Sequence, residues 1–367
     1  MVLRNVKITT FIGFNDSPMQ SNFLKVLSLY LTFVFLFSCS NDGGENSDDM
    51  GNIPEETDNP VIKDDYNYIA LRNDGNLFTI DSKSGKVTNT GQIDGLEFNT
   101  VFNTITSSST NTYIYEPWFD PVEGRLFIRD RNSGVTEKVI LDFPEAFGDN
   151  PGFISLDWDE NHKSLVGIVM QEFDSGSINL PLQVVRLDPE TFEFSVYQDL
   201  DLNSAGYVNI SASQLIEQKL YVSATKSGDF VHNDLLEIDL TAGTFTILPQ
   251  EGMETGIITF SSSPNGTKLI AFAPQLNTGY TGTVRSYVYN LLTREVEEIS
   301  SIPRIYTLQL SYKPFYNPYN NNLVTLLGKD DVCIFNYNLS DGKYAFVPVA
   351  NPEDLSSLIA IIDVVKL

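Results

Sequence analysis

One short pattern recurs six times in this chain and constrains its fold more than any other feature. Its first copy is Leu77–Val87, LFTIDSKSGKV: an apolar alternating run, a polar turn opening on Asp81 with Gly85 inside it, and a second alternating run. Its relatives begin at Leu126 (LFIRDRNSGVTEKV), Val184 (VVRLDPETFEFSV), Leu235 (LLEIDLTAGTFTIL), Ser286 (SYVYNLLTREVEEI) and Cys333 (CIFNYNLSDGKYAFV). Subtracting the residue numbers spaces the starts by 49, 58, 51, 51 and 47 residues. Two alternating runs joined by a turn rich in Asp, Asn, Ser and Gly form a β-hairpin, so the chain carries six hairpins in series.

Other alternating runs fill the gaps between them. YNYIALRN precedes the first hairpin; FNTITSS and TYIYEPWF precede the second, with TYIYEPWFDPVEGRLFI open to reading as that unit's first strand, turn and second strand. FISLDWD and SLVGIVMQE precede the third, VNISASQ and KLYVSAT the fourth, GIITFSSSPNGTKLIAFAP the fifth, and TLQLSYKPF and NLVTLLG the sixth. Four strands per ~50 residues, repeated, is the pattern of propeller blades, and no stretch holds a helical period. The turn SPNGTKLIAF (263–272) resembles the S-P-D-G-K turn of six-bladed TolB-like and YVTN-like β-propellers, with Asn265 in the Asp position. That resemblance implies an all-β six-bladed propeller over residues 65–367, and it carries no activity with it. The first unit is one strand short, while LIAIIDVVKL (358–367) is a strand without a unit. Pairing it as the innermost strand of blade one closes the ring and removes an exposed edge.

Ahead of the repeats, FLKVLSLYLTFVFLF (23–37) holds only about a dozen apolar residues after Lys25, short of the ~20 that span a bilayer, which is signal-peptide length. The stretch runs into Leu36-Phe37-Ser38-Cys39, which resembles the lipobox of bacterial lipoproteins, with Phe37 bulkier than the family's usual residue. The resemblance implies a lipidated Cys39 at the mature N-terminus; an uncleaved anchor helix is the rival reading. Met19 sits where an ordinary signal peptide begins, so 1–18 reads as an over-extended start. Residues 40–64 are acidic and rich in Gly, Asn and Ser until the first strand, the composition of a flexible tether. Ser40 after the cysteine implies sorting to the outer membrane. The acidic run resembles the export signals of surface lipoproteins in Bacteroidetes-type bacteria, and a plain solvated spacer accounts for it as well; surface and periplasmic orientations stay open.

A net charge of −25 argues against a nucleic-acid partner. With Cys39 lipidated, Cys333 has no intramolecular partner and reads as a small buried hydrophobe. HExxH, GxSxG, Walker and GxGxxG motifs are all missing from the sequence. Its two histidines, His162 and His232, read as exposed turn residues or as acid–base groups. Asp157, Asp159 and Asn161 offer oxygens at alternate positions, as calcium loops do; an Asp/Asn-rich β-turn is the other reading. Ligands of propellers usually meet the face carrying the connections between blades and between second and third strands. On this strand map that selects Tyr115, Glu116, Trp118, Phe119, Tyr207, His232, Tyr280, Arg304 and Tyr306. Trp118 reads as a stacking platform for sugar or peptide or as packing under a neighbouring blade. Arg304 reads as an anion contact or a local ion pair. The sequence favours a lipid-anchored binding or assembly module for a protein or an extracellular glycan. The alternative is a propeller hydrolase, lactonase or lyase with a carboxylate or calcium-assisted site in the central channel.

Overall fold

A computed structural model describes residues 65–367 apart from 98–101, 120–121, 172–181, 254, 275–282, 300–304, 307–312, 329–331 and 352–358. Segments 1–38 and 39–64, with the leader, Cys39 and the tether, lie outside the described residues.

The strands fall into six antiparallel groups. Blade one contains β1 (Tyr66–Arg72), β2 (Asn76–Asp81) and β3 (Val87–Gln92). Blade two is β4 (Ile105–Ser107), β5 (Asn111–Phe119), β6 (Val122–Asp130) and β7 (Thr136–Leu141). Blade three is β8 (Gly152–Asp159), β9 (Ser164–Met170), β10 (Leu182–Leu187) and β11 (Phe194–Asp201), and blade four is β12 (Tyr207–Ile216), β13 (Lys219–Lys226), β14 (Asp229–Asp239) and β15 (Thr244–Leu248). Blade five is β16 (Thr259–Ser262), β17 (Lys268–Pro274), β18 (Thr283–Asn290) and β19 (Val296–Glu298). A two-residue strand, β20 (Ile305–Tyr306), pairs with both β18 and β22 and joins that blade to blade six: β21 (Phe315–Asn317), β22 (Asn322–Gly328), β23 (Val332–Asn338) and β24 (Tyr344–Pro348). The last strand, β25 (Ile359–Lys366), returns to blade one and pairs antiparallel with β1 from Tyr66↔Lys366 to Arg72↔Ile359. The ring is therefore closed by the C-terminal strand, as the strand count anticipates. TYIYEPWF is the second strand of blade two, and FNTITSS opens with a 3-10 turn at Phe102–Thr104 before the short β4.

The six hairpins are the outer strand pairs of the blades, and their turns share one construction. In each, the Oδ1 of Asp81, Asp130, Asp188, Asp239, Asn290 or Asn338 accepts the backbone N–H groups two and three residues on. The N–H of the residue four positions on returns to the carbonyl of that Asp or Asn, and the donating residue takes positive φ: 64° at Gly85, 74° at Gly134, 66° at Gly243 and 71° at Gly342. Phe192 (60°) and Arg294 (64°) adopt the same conformation without glycine, at a cost of about 1–2 kcal/mol each. An Asx side chain that satisfies two turn N–H groups at once explains why Asp or Asn opens all six. The fifth-blade turn at SPNG lies between β16 and β17, with Ser263 Oγ and Asn265 Oδ1 2.7 Å apart.

Apolar side chains on both faces of each blade pack against its neighbours, giving six buried clusters, one at every blade-to-blade boundary. Cys333 is buried in β23. Because the strands of a blade alternate in direction, the turns joining first to second and third to fourth strands share one face. The connections between second and third strands, and those between blades, share the other, called the loop face below.

Candidate functional site at the loop face and channel

Tyr115 and Glu116 are neighbours on β5, and alternation sends their side chains to opposite sides of the blade. Tyr115 enters the boundary with blade three, edge-on to Phe143 (6.3 Å) and Phe153 (5.1 Å). Burial pushes its hydroxyl well above the ordinary tyrosine value, so this residue belongs to the core. Glu116 faces blade one, where Ile114 on the same side of the strand joins Leu71, Ile93 and Leu96. Its carboxyl is fully buried. Oε1 accepts the backbone N–H of Glu97, from the connection between blades one and two, at 2.6 Å. Among the described residues Oε2 has no hydrogen-bond partner, and the nearest cation is the Arg125 guanidinium at 3.9 Å, directly across the strand pair. Arg125 Nε in turn donates to Glu123 at 3.0 Å.

Burial raises the Glu116 carboxyl from 4.5 to about 7, against the opposing pull of the Glu97 N–H and of Arg125. A carboxyl that changes charge near neutrality, with one oxygen fixed and one uncommitted, has the properties of a proton-transfer group.

A second polar assembly crosses the central channel. Asp157 on β8 is buried; Ser213 of β12 donates to its Oδ2 at 2.5 Å, and the Lys313 ammonium, just ahead of β21, pairs with its Oδ1. Asn103, in the 3-10 turn leading into β4, donates through Nδ2 to the carbonyl of Ser211, two residues before Ser213. Blades two, three, four and six thus meet through side chains at the axis.

Asp159, also buried, accepts the N–H groups of Asn161 and His162 on Oδ1, and its Oδ2 lies 2.7 Å from His162 Nδ1. These bonds are the turn chemistry of the Asp/Asn-rich segment, and Asp157 points instead to Lys313. Among the described residues, no group of three or more His, Cys, Asp or Glu side chains gathers as a metal site.

Tyr207 opens β12, and its hydroxyl donates to Asp234 at 2.7 Å while Lys226 sits over its ring. His232 is exposed, its Nδ1 3.0 Å from Asp229. Trp118 and Phe119 end β5, and Tyr306 lies in β20; nothing is described of their side chains. Tyr280 and Arg304 lie outside the described residues. Sequence reasoning missed Asn103, Arg125, Ser213 and Lys313. Of these, only Lys313 carried a signal, a lone cation in the otherwise uncharged run TLQLSYKPF.

No protein-family model matches the chain, and no curated protein does. Among solved structures it is similar to an oligogalacturonate lyase in complex with manganese (13% identity over 74% of this chain and 70% of that one, TM-score 0.46). It is also similar to a candidate 6-phosphogluconolactonase from Bacteroides fragilis (10%, 84% and 99%, 0.47) and to a Trypanosoma rangeli sialidase in complex with sialic acid (13%, 79% and 54%, 0.44). Likeness at this level shows the propeller fold alone. It does correct one expectation. The sequence favours a module without catalysis, yet the similar folds include a lyase, a lactonase and a sialidase, and the preference against an enzyme does not stand.

Proposed function

We propose that this chain is a propeller enzyme, a hydrolase, lactonase or lyase, in which Glu116 moves a proton at the loop-face side of blade two. The observation that carries the reading is the state of one carboxyl: fully buried, anchored through Oε1 to the Glu97 N–H, without a partner on Oε2 among the described residues, and raised to about 7. Near neutral pH such a group is present in both protonation states and serves as acid or base. The substrate class in best accord with the sequence is an extracellular glycan or a sugar-derived lactone. The lipobox-like segment ending at Cys39 supports display from the outer membrane on an acidic tether.

The test is turnover of a panel of oligosaccharides and sugar lactones by the soluble form beginning at Ser40 and by Glu116→Gln. Loss of a positioned general acid or base lowers the rate by roughly 10²–10⁴-fold, and the folded Gln variant is expected to fall in that range. Equal turnover by both proteins, or saccharide binding without turnover of any panel member, overturns the assignment.

A further inference from the structure

The cation nearest Glu116 is shared with a second carboxylate. We propose that Arg125 is the positioning residue of this site, a guanidinium held between Glu116 and Glu123 that sets how readily Glu116 gives up its proton. The proposal deepens the reading of Glu116 as the proton-transfer group, and its catalytic purpose rests on that reading.

The strands fix the pairing. Glu116 of β5 and Arg125 of β6 are direct cross-strand partners, in a register that runs without a bulge from Asn111↔Asp130 to Phe119↔Val122. Opposed residues of an antiparallel pair leave the sheet on the same side, with Cβ atoms about 5 Å apart. Nη1 of Arg125 stands 3.9 Å from Glu116 Oε2, while its Nε donates to Glu123 Oε2 at 3.0 Å. The Arg125 side chain is 13% exposed, against 28% for Glu123 and 0% for Glu116. The hydrogen bond therefore goes to the better solvated carboxylate, and the buried one feels the charge without the bond.

This arrangement matters at the moment of proton transfer. Oε1 already accepts the Glu97 N–H, so the neutral acid carries its proton on Oε2, the oxygen that faces Arg125. Losing that proton places a negative charge 3.9 Å from Nη1. A planar fork with five N–H donors can answer both carboxylates at once, so ionisation of Glu116 requires no new cation. Among the described residues two other charged groups act on Glu116: the Lys138 ammonium of β7, which favours ionisation, and the Glu97 carboxylate, which opposes it. Both side chains are exposed, where solvent and salt screen them, and Arg125 is left as the cation that decides.

The test is the pH midpoint at which Glu116 ionises. It is read by NMR, from the carboxyl resonance of isotope-labelled glutamate that disappears in Glu116→Gln, using the soluble form beginning at Ser40. An opposite charge at this distance lowers a carboxyl by roughly 1–3 pH units, so Arg125→Gln is expected to raise the midpoint by about one unit or more. Arg125→Met, which keeps much of the aliphatic stem, is expected to give the same rise should the glutamine variant fail to fold. Arg125→Lys keeps the charge and is expected to stay nearer the wild type. Glu123→Gln is expected to lower the midpoint, because Arg125 then answers Glu116 alone. Mere loosening of the boundary would hydrate Glu116 and move every variant down toward the ordinary 4.5, so a rise separates positioning from a structural role. A midpoint unchanged or lowered when the Arg125 charge is removed overturns the proposal. The expected shifts without turnover of any saccharide or lactone uphold it and remove the catalytic reading; Glu116-dependent turnover with unmoved midpoints does the reverse.

Discussion

Lys313 and Asp157 meet across the centre of the ring, one entering from blade six and the other from blade three, which stand opposite each other in a six-membered ring. A single lysine side chain closes the gap, so the channel is narrow at that level. Ser213 takes the second carboxylate oxygen, which leaves Asp157 fully satisfied. Removing only the lysine strands a buried carboxylate. We expect Lys313→Met to destabilise the fold by about 3–5 kcal/mol, and Lys313→Met/Asp157→Leu to recover most of that, as read by urea denaturation.

Glu116 imposes a sign on the pH dependence of stability. Its folded value, raised by burial to about 7, lies above the ordinary 4.5, so the native state holds the proton through a window where the unfolded chain has released it. This contribution is fully present below the unfolded value and is lost as pH rises through about 7. The loss is on the order of 3 kcal/mol. Unfolding titrations from pH 4.5 to 8 are expected to show it in the wild type and to lose it in Glu116→Gln.

Glu237 acts in the opposite direction. Burial opposes its charge, but bonds from Arg294, Lys219 and Tyr221 outweigh burial and hold the carboxyl down near 2. Stability from this network, which ties blade four to the outer turn of blade five, is present above the ordinary carboxyl value and is lost as pH falls toward 2. Glu237→Gln is expected to flatten the acid limb of the stability profile, leaving the neutral limb set by Glu116.

Two turn glycines with nearly the same φ should respond differently to alanine. At Gly134 an added Cβ meets only the Arg129 side chain, at 3.3 Å, so Gly134→Ala is expected to cost about 1–2 kcal/mol for the left-handed conformation. At Gly85 the same atom falls 1.9 Å from the Pro348 carbonyl oxygen of blade six, and the Gly85 carbonyl accepts the N–H of Ala350. Gly85→Ala must therefore push blades one and six apart and is expected to cost clearly more, measured as the difference in melting temperature between the two variants.

Ending the chain at Ser357 removes β25, its pairing along the whole of β1, and the ion pair between Asp363 and Arg131 of blade two. Such a truncation is expected to abolish the cooperative melt followed by circular dichroism.

The fold was legible because its signals are local: strand alternation, six Asx turns, and a count that leaves the first unit one strand short and the last strand spare. Blade two was ambiguous because β4 is only three residues long and follows a 3-10 turn, leaving too short a run to alternate. Glu116 could be picked out from its place near the loop face, but its burial depends on Leu96 and Ile93 from a different blade. Tyr115, one residue away, showed no sequence sign of pointing into the opposite boundary. The axis residues were invisible for a related reason. Asn103, Ser213 and Lys313 are separated by more than 90 residues each, and only ring closure brings them together.

That closure also sets the order of events when the protein is made. The strand that completes blade one follows every other strand in the chain, so five blades can form while β1 still lacks its inner neighbour. Folding of the ring cannot finish until β25 has been synthesised and released. Until then β1 keeps one edge of blade one open to other pairings.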